Sequence, residues 1–472
     1  MQELGLVKDI TYTKRTAAAA KNRYVYYPDR LNRLPAEPPS LLDIISLWRS
    51  GMLAGTFGMV KEPLVPKRPQ GLADETVGSF LSRRVDKRIA NNLVSAVFHG
   101  IYAGDIWQLS AKTLLSLAWQ LEGKYGSALG GYLRMQSDDT RPQALTLVHP
   151  YDLEISRALN TEIDLDSDYA KDLKEASTFT FRNGLQQLVD ALKESVVNKG
   201  NVEIKVNSPV QIAKPAGDES LQVAVTTGVY TESRLSQPSA NNGQNEPSTE
   251  TQNFDLVVST LRNPWLTPFV TVMTVNLYYS NPSLLPVEGF GYLIPQTVPF
   301  EQNPERALGV IFDSQATNGQ DTVDGTKLTV MLGGHWWNDW TAYPDSSEGL
   351  EMAKSVVKRH LGITDEPAAS HVNLSKDCIP QYTLGYEERL REYALGITNE
   401  FKGRLRVVGN QFNGVGVNDC ITGAWKLAHG LRGDGWKNTR NCGLERVMDD
   451  SNWVVVQADQ MVYRHREGMK TT

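Results

Sequence analysis

The stretch of the chain with the clearest chemical potential is LRVVGNQFNGVGVNDCITGAW, residues 405–425. An apolar strand, LRVVGN, runs into a glycine-rich turn that opens a helix, ITGAWKLAHGL. The first-turn amides of such a helix have no partner inside it and present the positive end of the helix dipole. They can hold negative charge without moving. Gly414 and Gly416 would let the backbone approach a bound group closely. The same residues also read as an ordinary strand–turn–helix corner capped by Asn418 or Asp419. Spacing alone does not decide between the two.

Few other residues offer chemistry by type and spacing. Arg23, in NRYVYYPDR, has a planar guanidinium suited to a carboxylate, although an arginine beside tyrosines is ordinarily a strand-edge residue. Cys378, Cys420 and Cys442 show no C-x-x-C spacing, and the seven histidines are scattered, so no metal site is expected. His99 precedes a GIYAG turn and reads as a satisfied interior histidine without a catalytic role.

These residues need elements to position them. The spacing of Leu41, Ile44, Ile45, Trp48 and Met52 after Ser40 and Asp43 predicts an amphipathic helix. A second helix is expected over 74–99, with Val77, Phe80, Leu81, Val85, Ile89, Leu93 and Val97 on one face, and a third from Ser110 through Leu114, Leu117 and Leu121. Residues 135–177 turn polar and acidic and read as a long connection. A helix carrying Leu185, Leu188, Val189, Leu192 and Val196 stops at Gly200. Alternating Val202, Ile204 and Val206 then read as a strand. LQVAVTTGVY and FDLVVSTL are further strands, separated by the low-complexity 233–253, which reads as a disordered loop. Strands are expected at 270–280 and 326–334 and a helix at 347–361. A polar tail follows residue 430.

Length and composition bound the rest. The 472 residues are enough for two or three domains, and 40% hydrophobic with 22% charged residues and a net charge of -6 fits a globular protein with no nucleic-acid partner. The longest apolar run, FVTVMTVNLYY, is too short for a transmembrane helix. No cleavable signal is legible at the N-terminus.

Several segments carry a family resemblance in order along the chain. VVGNQFNGVGVNDCI resembles the C-terminal flavin motif of the oxygen-dependent protoporphyrinogen oxidases. RRVDKRIANNLVSAVFHGIYAGDIWQLS, FTFRNGLQQLVDAL, GFGYLIP, TVMLGGHW and DCIPQYTLGY are similar to further family segments. The resemblance covers nearly the whole chain to about residue 430. It implies an α/β flavoprotein fold with α+β character: a Rossmann-like FAD-binding fold of the amine-oxidase type with a mixed-sheet substrate domain and a helical membrane-associated domain. The corresponding segments are 1–34 (start), 35–176 (helical), 177–265 and 403–430 (FAD-binding), 266–402 (substrate) and 431–472 (tail).

The resemblance implies oxidation of protoporphyrinogen IX by FAD and O2 with release of H2O2, in haem biosynthesis. Such an enzyme supplies an apolar slot, a cation for propionates and a held flavin, whose reduced N1/O2 edge the helix terminus at 417 would stabilise. The resemblance carries substrate contacts to Arg23, Gly104, Gly291 and Leu293, and cofactor contacts to Val210, Asn410, Val415, Gly416 and Val417. Past IFDS the family commonly has a stacking aromatic, whereas Thr317 stands here. The resemblance also implies the mitochondrial inner membrane, reached monotopically through helices 41–54 and 74–99, and a homodimer, while the insertion at 233–253 and the tail after Gly430 suggest a eukaryotic, fungal member.

The family's opening strand, G-x-G-x-x-G turn and helix, which bind the FAD pyrophosphate, are not found in these residues; GTFGMV and GKYGSALGG have the wrong spacing. Weak FAD binding by this polypeptide alone is therefore expected. Two other readings stay open: a catalytically inactive chain that binds porphyrin or a partner, and a flavin amine oxidase or carotenoid desaturase.

Overall fold

A computed structural model describes residues 1–34, 47, 49–137, 144–216, 220–227, 248–435 and 437–461. The chain divides into two compact units, one of residues 1–189, 264–387 and 451–472, the other of residues 190–263 and 388–450.

The first unit begins with β1 (Ile10–Lys14), β2 (Arg23–Tyr26) and β3 (Leu31–Leu34), and continues through β4 (Leu145–Val148) and β5 (Ala176–Phe181). The second contributes β6 (Val210–Ala216), β7 (Ser220–Thr227), β8 (Ser248–Phe254) and β9 (Val257–Ser259). The first unit resumes with β10 (Phe269–Tyr279), β11 (Gly291–Leu293), β12 (Ala307–Ile311), β13 (Thr326–Gly333) and β14 (Ala369–Pro380). β15 (Leu405–Val407) belongs to the second unit and β16 (Val454–Gln457) to the first.

A seven-stranded mixed sheet, ordered β14-β10-β13-β12-β11-β2-β3, organises the first unit. β10 is rich in β-branched and aromatic residues and is mostly buried, as a central strand covered on both faces should be. Helix Ser346–Leu361 lays Ala353, Val356, Val357 and Leu361 against Met273, Val275, Leu277 and Val330 on one face. Its start is fixed by a capping box between Asp345 and Glu348, and Gly362 ends it at φ 73°. Val270, Val272 and Leu308 pack with Ala103 in a separate cluster.

The helix expected over 74–99 is broken. Helix Val77–Arg84 ends at Val85 (φ -123°, ψ -82°), Asp86 caps a new turn through its side chain, and a π turn at Ala90–Val94 precedes helix Ser95–Tyr102. Asp86 competes for the backbone and so interrupts an otherwise unbroken apolar period. Val77, Phe80 and Ile89 are buried, whereas Val97, expected on the same face, is 37% exposed. Of the helix expected after Ser40, residues 41–46 and Trp48 lie outside the described residues; Leu47 and Met52 are buried.

A buried ionic network holds the helical part together. Glu62 pairs with Arg84 and accepts from the Ser127 hydroxyl and from the amides of Ala128 (2.8 Å) and Leu129 (3.1 Å), at the start of helix Leu129–Ser137. Glu122 accepts from Arg83 at 2.7 Å and pairs with Arg68 at 3.2 Å. Both carboxylates are enclosed, and each has the multiple donors that a buried charge requires.

Three further expectations are corrected. Residues 135–177 are not a bare connection: helices Pro150–Glu162 and Ser167–Glu175 form there, burying Leu153, Ile155 and Tyr169, with His149 and Asp166 as side-chain caps. Acidic surface faces hid this apolar period. Val202, Ile204 and Val206 form no strand and are 45%, 45% and 71% exposed, because among the described residues no neighbour offers them a ladder. The tail is partly folded, since β16 pairs antiparallel with β4 and the Ala458 amide donates to the Ala144 carbonyl at 2.8 Å. Of the loop expected at 233–253, residues through 247 lie outside the described ones, while the rest join β8, paired with β7.

Candidate active site

In the first unit, β2 and β11 run parallel, with Tyr24 opposite Tyr292 and Val25 opposite Leu293. Arg23 therefore begins its strand beside Gly291. Its side chain is exposed, with the guanidinium 5.7 Å from the centre of the Phe290 ring, and it has no carboxylate partner among the described residues. A cation held by a ring face at a strand end is free to meet an anion. Gly291 has φ 140°, and a Cβ there would fall 2.2 Å from the Val310 carbonyl oxygen, so close pairing with β12 demands glycine.

Leu293 packs with Val25, Leu47, Met52 and Ala96 and lies so near helix Ser95–Tyr102 that a Cβ on Gly100 would meet it at 2.9 Å. That helix ends at Ala103, in the left-handed region at φ 49°. Gly104 follows and is buried against Gln381, whose Oε1 would sit 2.3 Å from an added Cβ. Gln381 is anchored by donating from Nε2 to the Tyr102 carbonyl at 2.8 Å. Arg23, Gly291 and Leu293 thus share two neighbouring strands, whereas Gly104 lies beyond the helix against which Leu293 packs. Thr317 ends the short helix Asp313–Ala316 and donates from its hydroxyl to the Asp313 carbonyl at 2.8 Å.

His99 is interior, as its sequence setting suggests, but it is not alone. Its Nδ1 lies 2.6 Å from the Ile294 carbonyl and its Nε2 lies 2.8 Å from His335 Nε2. Gln296 donates from Nε2 to Asp105 at 2.8 Å and approaches His335 Nε2 at 3.5 Å. Burial, reinforced by the neighbouring His335, pulls His99 down to about 3; burial and then Arg306 pull His335 down to about 4. Both rings are neutral at physiological pH. This cluster joins the GIYAGD, GFGYLIP and GGHW segments across 236 positions of sequence separation, which no local spacing could reveal.

In the second unit, β15 runs parallel to β9, with Leu405, Arg406 and Val407 opposite Val257, Val258 and Ser259. Gln411 clamps the turn by accepting from the Asn263 amide at 2.8 Å and donating to the Asn263 carbonyl at 2.5 Å. Asn410 opens a one-turn helix after Gly409 (φ 139°), and helix Val417–Asp434 follows. Asp419 is the residue that caps it: its carboxylate accepts from the Gly416 amide at 3.0 Å. Gly414 (φ 119°) would bring a Cβ within 2.5 Å of that carboxylate, so glycine is needed for the turn to close. Val415 lies between the two glycines. The amides of Val417, Asn418 and Asp419 begin the helix, and Val417 and Ile421 are 49% and 46% exposed. Val210 begins β6, paired with Val225 and 39% exposed.

This corner fits a flavin. An open helix terminus, an adjacent glycine turn and exposed aliphatic side chains are what the polar edge and flat face of an isoalloxazine ring require. Val415, Gly416 and Val417 would hold that edge.

Comparison with known proteins agrees with this geometry. A family model described as flavin containing amine oxidoreductase matches residues 1–430. The protoporphyrinogen oxidase of Schizosaccharomyces pombe is 30% identical over 434 residues, covering 91% of this chain and 82% of that protein. The human protoporphyrinogen oxidase is 28% identical over 443 residues, covering 92% and 83%. A solved structure from Exiguobacterium, described as a protoporphyrinogen oxidase, superposes with a TM-score of 0.61 at 17% identity, covering 91% and 83%, and supports the fold alone. The chain belongs to the flavin-containing amine oxidoreductases and, within them, to the protoporphyrinogen oxidases.

Proposed function

We propose that this chain oxidises protoporphyrinogen IX to protoporphyrin IX with FAD and O2, releasing H2O2, in haem biosynthesis. The observation that carries the reading is the 30% identity to the fission-yeast protoporphyrinogen oxidase across 91% of the chain. FAD, when bound, accepts hydride and passes electrons to oxygen. The chain's own residues bind and orient. Arg23 takes a propionate carboxylate through paired donors, and Leu293 supplies apolar wall. Gly291 and Gly104 bring backbone close to the macrocycle. The Val417 helix terminus, with Val415, Gly416 and Asn410, holds the flavin ring edge, and the Val210 backbone meets the adenine.

A location at the mitochondrial inner membrane, held at its surface, and a homodimer belong to the same proposal. Support for the surface contact comes from Phe57, Val60 and Leu64, which are 77%, 78% and 85% exposed around Lys61. Among the described residues no helix is long and apolar enough to cross a membrane.

Arg23 provides a direct test. Arg23→Ala should weaken protoporphyrin binding, followed by porphyrin fluorescence, by roughly 10-fold to 100-fold, and Arg23→Lys should recover only part of it. Unchanged affinity in Arg23→Ala would remove Arg23 from the substrate site.

A further inference from the structure

The paired histidines have fixed roles. A carbonyl only accepts, so His99 Nδ1 must be the donor to Ile294, and the neutral His99 ring then keeps its lone pair on Nε2. His335 must donate to that lone pair from its own Nε2, which leaves the lone pair of His335 on Nδ1. That nitrogen has no partner among the described residues, and the His335 ring is only partly buried.

A second acceptor belongs to the same cluster, on Gln296, whose Nε2 approaches His335 Nε2 at 3.5 Å. Gln296 spends its amide nitrogen on Asp105, and its Oε1 is buried with no partner among the described residues. Asp105 acts as an acceptor throughout, from Gln296, the Trp107 amide and the Gln108 side chain. Arg306, stacked 4.9 Å from the Trp336 ring and 5.1 Å from Phe300, keeps positive charge near the cluster and opposes protonation of His335. Trp336 itself packs 4.2 Å from the His335 ring. The cluster thus holds two acceptors without donors, beside the Trp336 ring, whose own Nε1–H also has no partner among the described residues.

Its position ties it to the proposed substrate residues. His99 bonds to Ile294, next to Leu293, and the His335 amide donates to the Ala103 carbonyl at 2.8 Å, next to Gly104. We propose that His335 Nδ1, with Gln296 Oε1 of the same cluster, accepts hydrogen bonds from pyrrole N–H groups of a reduced tetrapyrrole, and so makes the site prefer porphyrinogen over porphyrin. This rests on the reading that the chain binds these macrocycles. In a porphyrinogen the bridging carbons are saturated, the ring system is not flat, and the N–H groups point outward as donors. In a porphyrin the ring is flat and its inner hydrogens are turned toward one another. An acceptor pair held neutral by burial therefore discriminates the reduced ring without charge.

The test is an anaerobic competition on the 472-residue chain, in which protoporphyrinogen displaces fluorescent protoporphyrin. His335→Phe should weaken protoporphyrinogen about 10-fold while protoporphyrin affinity changes less than about 2-fold. His335→Gln, which restores a carbonyl acceptor, should recover part of the loss. Gln296→Leu is an independent probe should His335→Phe fail to fold, and it should shift the preference in the same direction. If His335→Phe and Gln296→Leu leave the ratio of the two affinities unchanged while Arg23→Ala weakens both ligands, the acceptor proposal falls and the substrate reading stands. If the unaltered chain binds neither macrocycle, both fall together.

Discussion

Glu62→Ala is expected to lower the stability of the first unit by about 2–4 kcal/mol, because it takes from buried Arg84 its nearest counter-ion and leaves it only Glu122 at 3.5 Å, which Arg68 and Arg83 already share. The side chains of Arg84 and Glu62 are only 1% and 2% exposed. Burial pushes the Glu62 carboxyl upward, yet its contacts with Ser127, Ala128 and Arg84 outweigh that and hold it below its ordinary value. Arg84 also donates to the carbonyls of Val65 and Pro66 at 3.1 Å, so it cannot swing out to water cheaply. Urea unfolding with and without Arg84→Met in the same chain measures the coupling. The double variant should lose clearly less than the sum of the two single ones. A loss under about 1 kcal/mol for Glu62→Ala alone would mean that the network contributes little.

Acid should destabilise the protein before it protonates ordinary carboxylates. His99 and His360 are nearly fully buried, and burial lowers them to about 3 and about 4. In the unfolded chain a histidine titrates near 6.5, so between that value and the folded one the unfolded state binds a proton that the folded state refuses. Stability is therefore complete above about 6.5 and is lost as pH falls toward the folded values. At pH 5 each ring costs about 2 kcal/mol. Asp313 acts in the opposite sense: burial raises it to about 6, so it gains a proton in the fold first and returns about 1 kcal/mol at pH 5. His335, lowered to about 4, adds about 2 kcal/mol more, so the net loss between pH 7.5 and pH 5 is about 5 kcal/mol, and urea melts at the two values measure it. His360→Gln should weaken the fold at pH 7.5, where it loses the contacts of His360 with Tyr292 (3.0 Å) and the Gln302 carbonyl (2.7 Å), while flattening the slope below pH 6.5. Equal stability at both pH values would contradict the neutral-histidine assignment.

Much of what positions the site can be read from local pattern. The corner at 405–425 is a strand, a glycine turn and a helix within about twenty residues, so its fold is legible from spacing and turn chemistry, whereas its reading as a flavin site comes from the family resemblance. Strands at 269–279 and 326–333 are equally legible, since β-branched runs of that length have few alternatives. Residues 135–177 mislead because their two helices bury only two of thirteen and one of nine residues, and acidic side chains stand among the rest. The break at Asp86 is hidden because a caps-forming side chain sits inside a continuous apolar period. Val202, Ile204 and Val206 show the reverse error: alternation is necessary for a strand, but a ladder needs a neighbour. The His99–His335 pair is out of reach for any local argument, because its two halves are brought together only by the packing of β11, β13 and the helix that ends at Tyr102.

The same physics frames the cofactor. On the proposed reading, the corner at 405–425 takes the ring side of FAD, while the G-x-G-x-x-G turn that binds a pyrophosphate is not among these 472 residues. The 472-residue polypeptide should accordingly bind FAD weakly by itself.

The most direct measurement is porphyrin fluorescence during incubation of protoporphyrinogen, FAD and oxygen with these 472 residues preceded by a strand, a G-x-G-x-x-G turn and a helix, alongside the 472 residues alone. The account predicts bound flavin absorbance and protoporphyrin formation with peroxide in the extended chain, and little of either in the shorter one. An extended chain that binds flavin fully and still forms no porphyrin would contradict it.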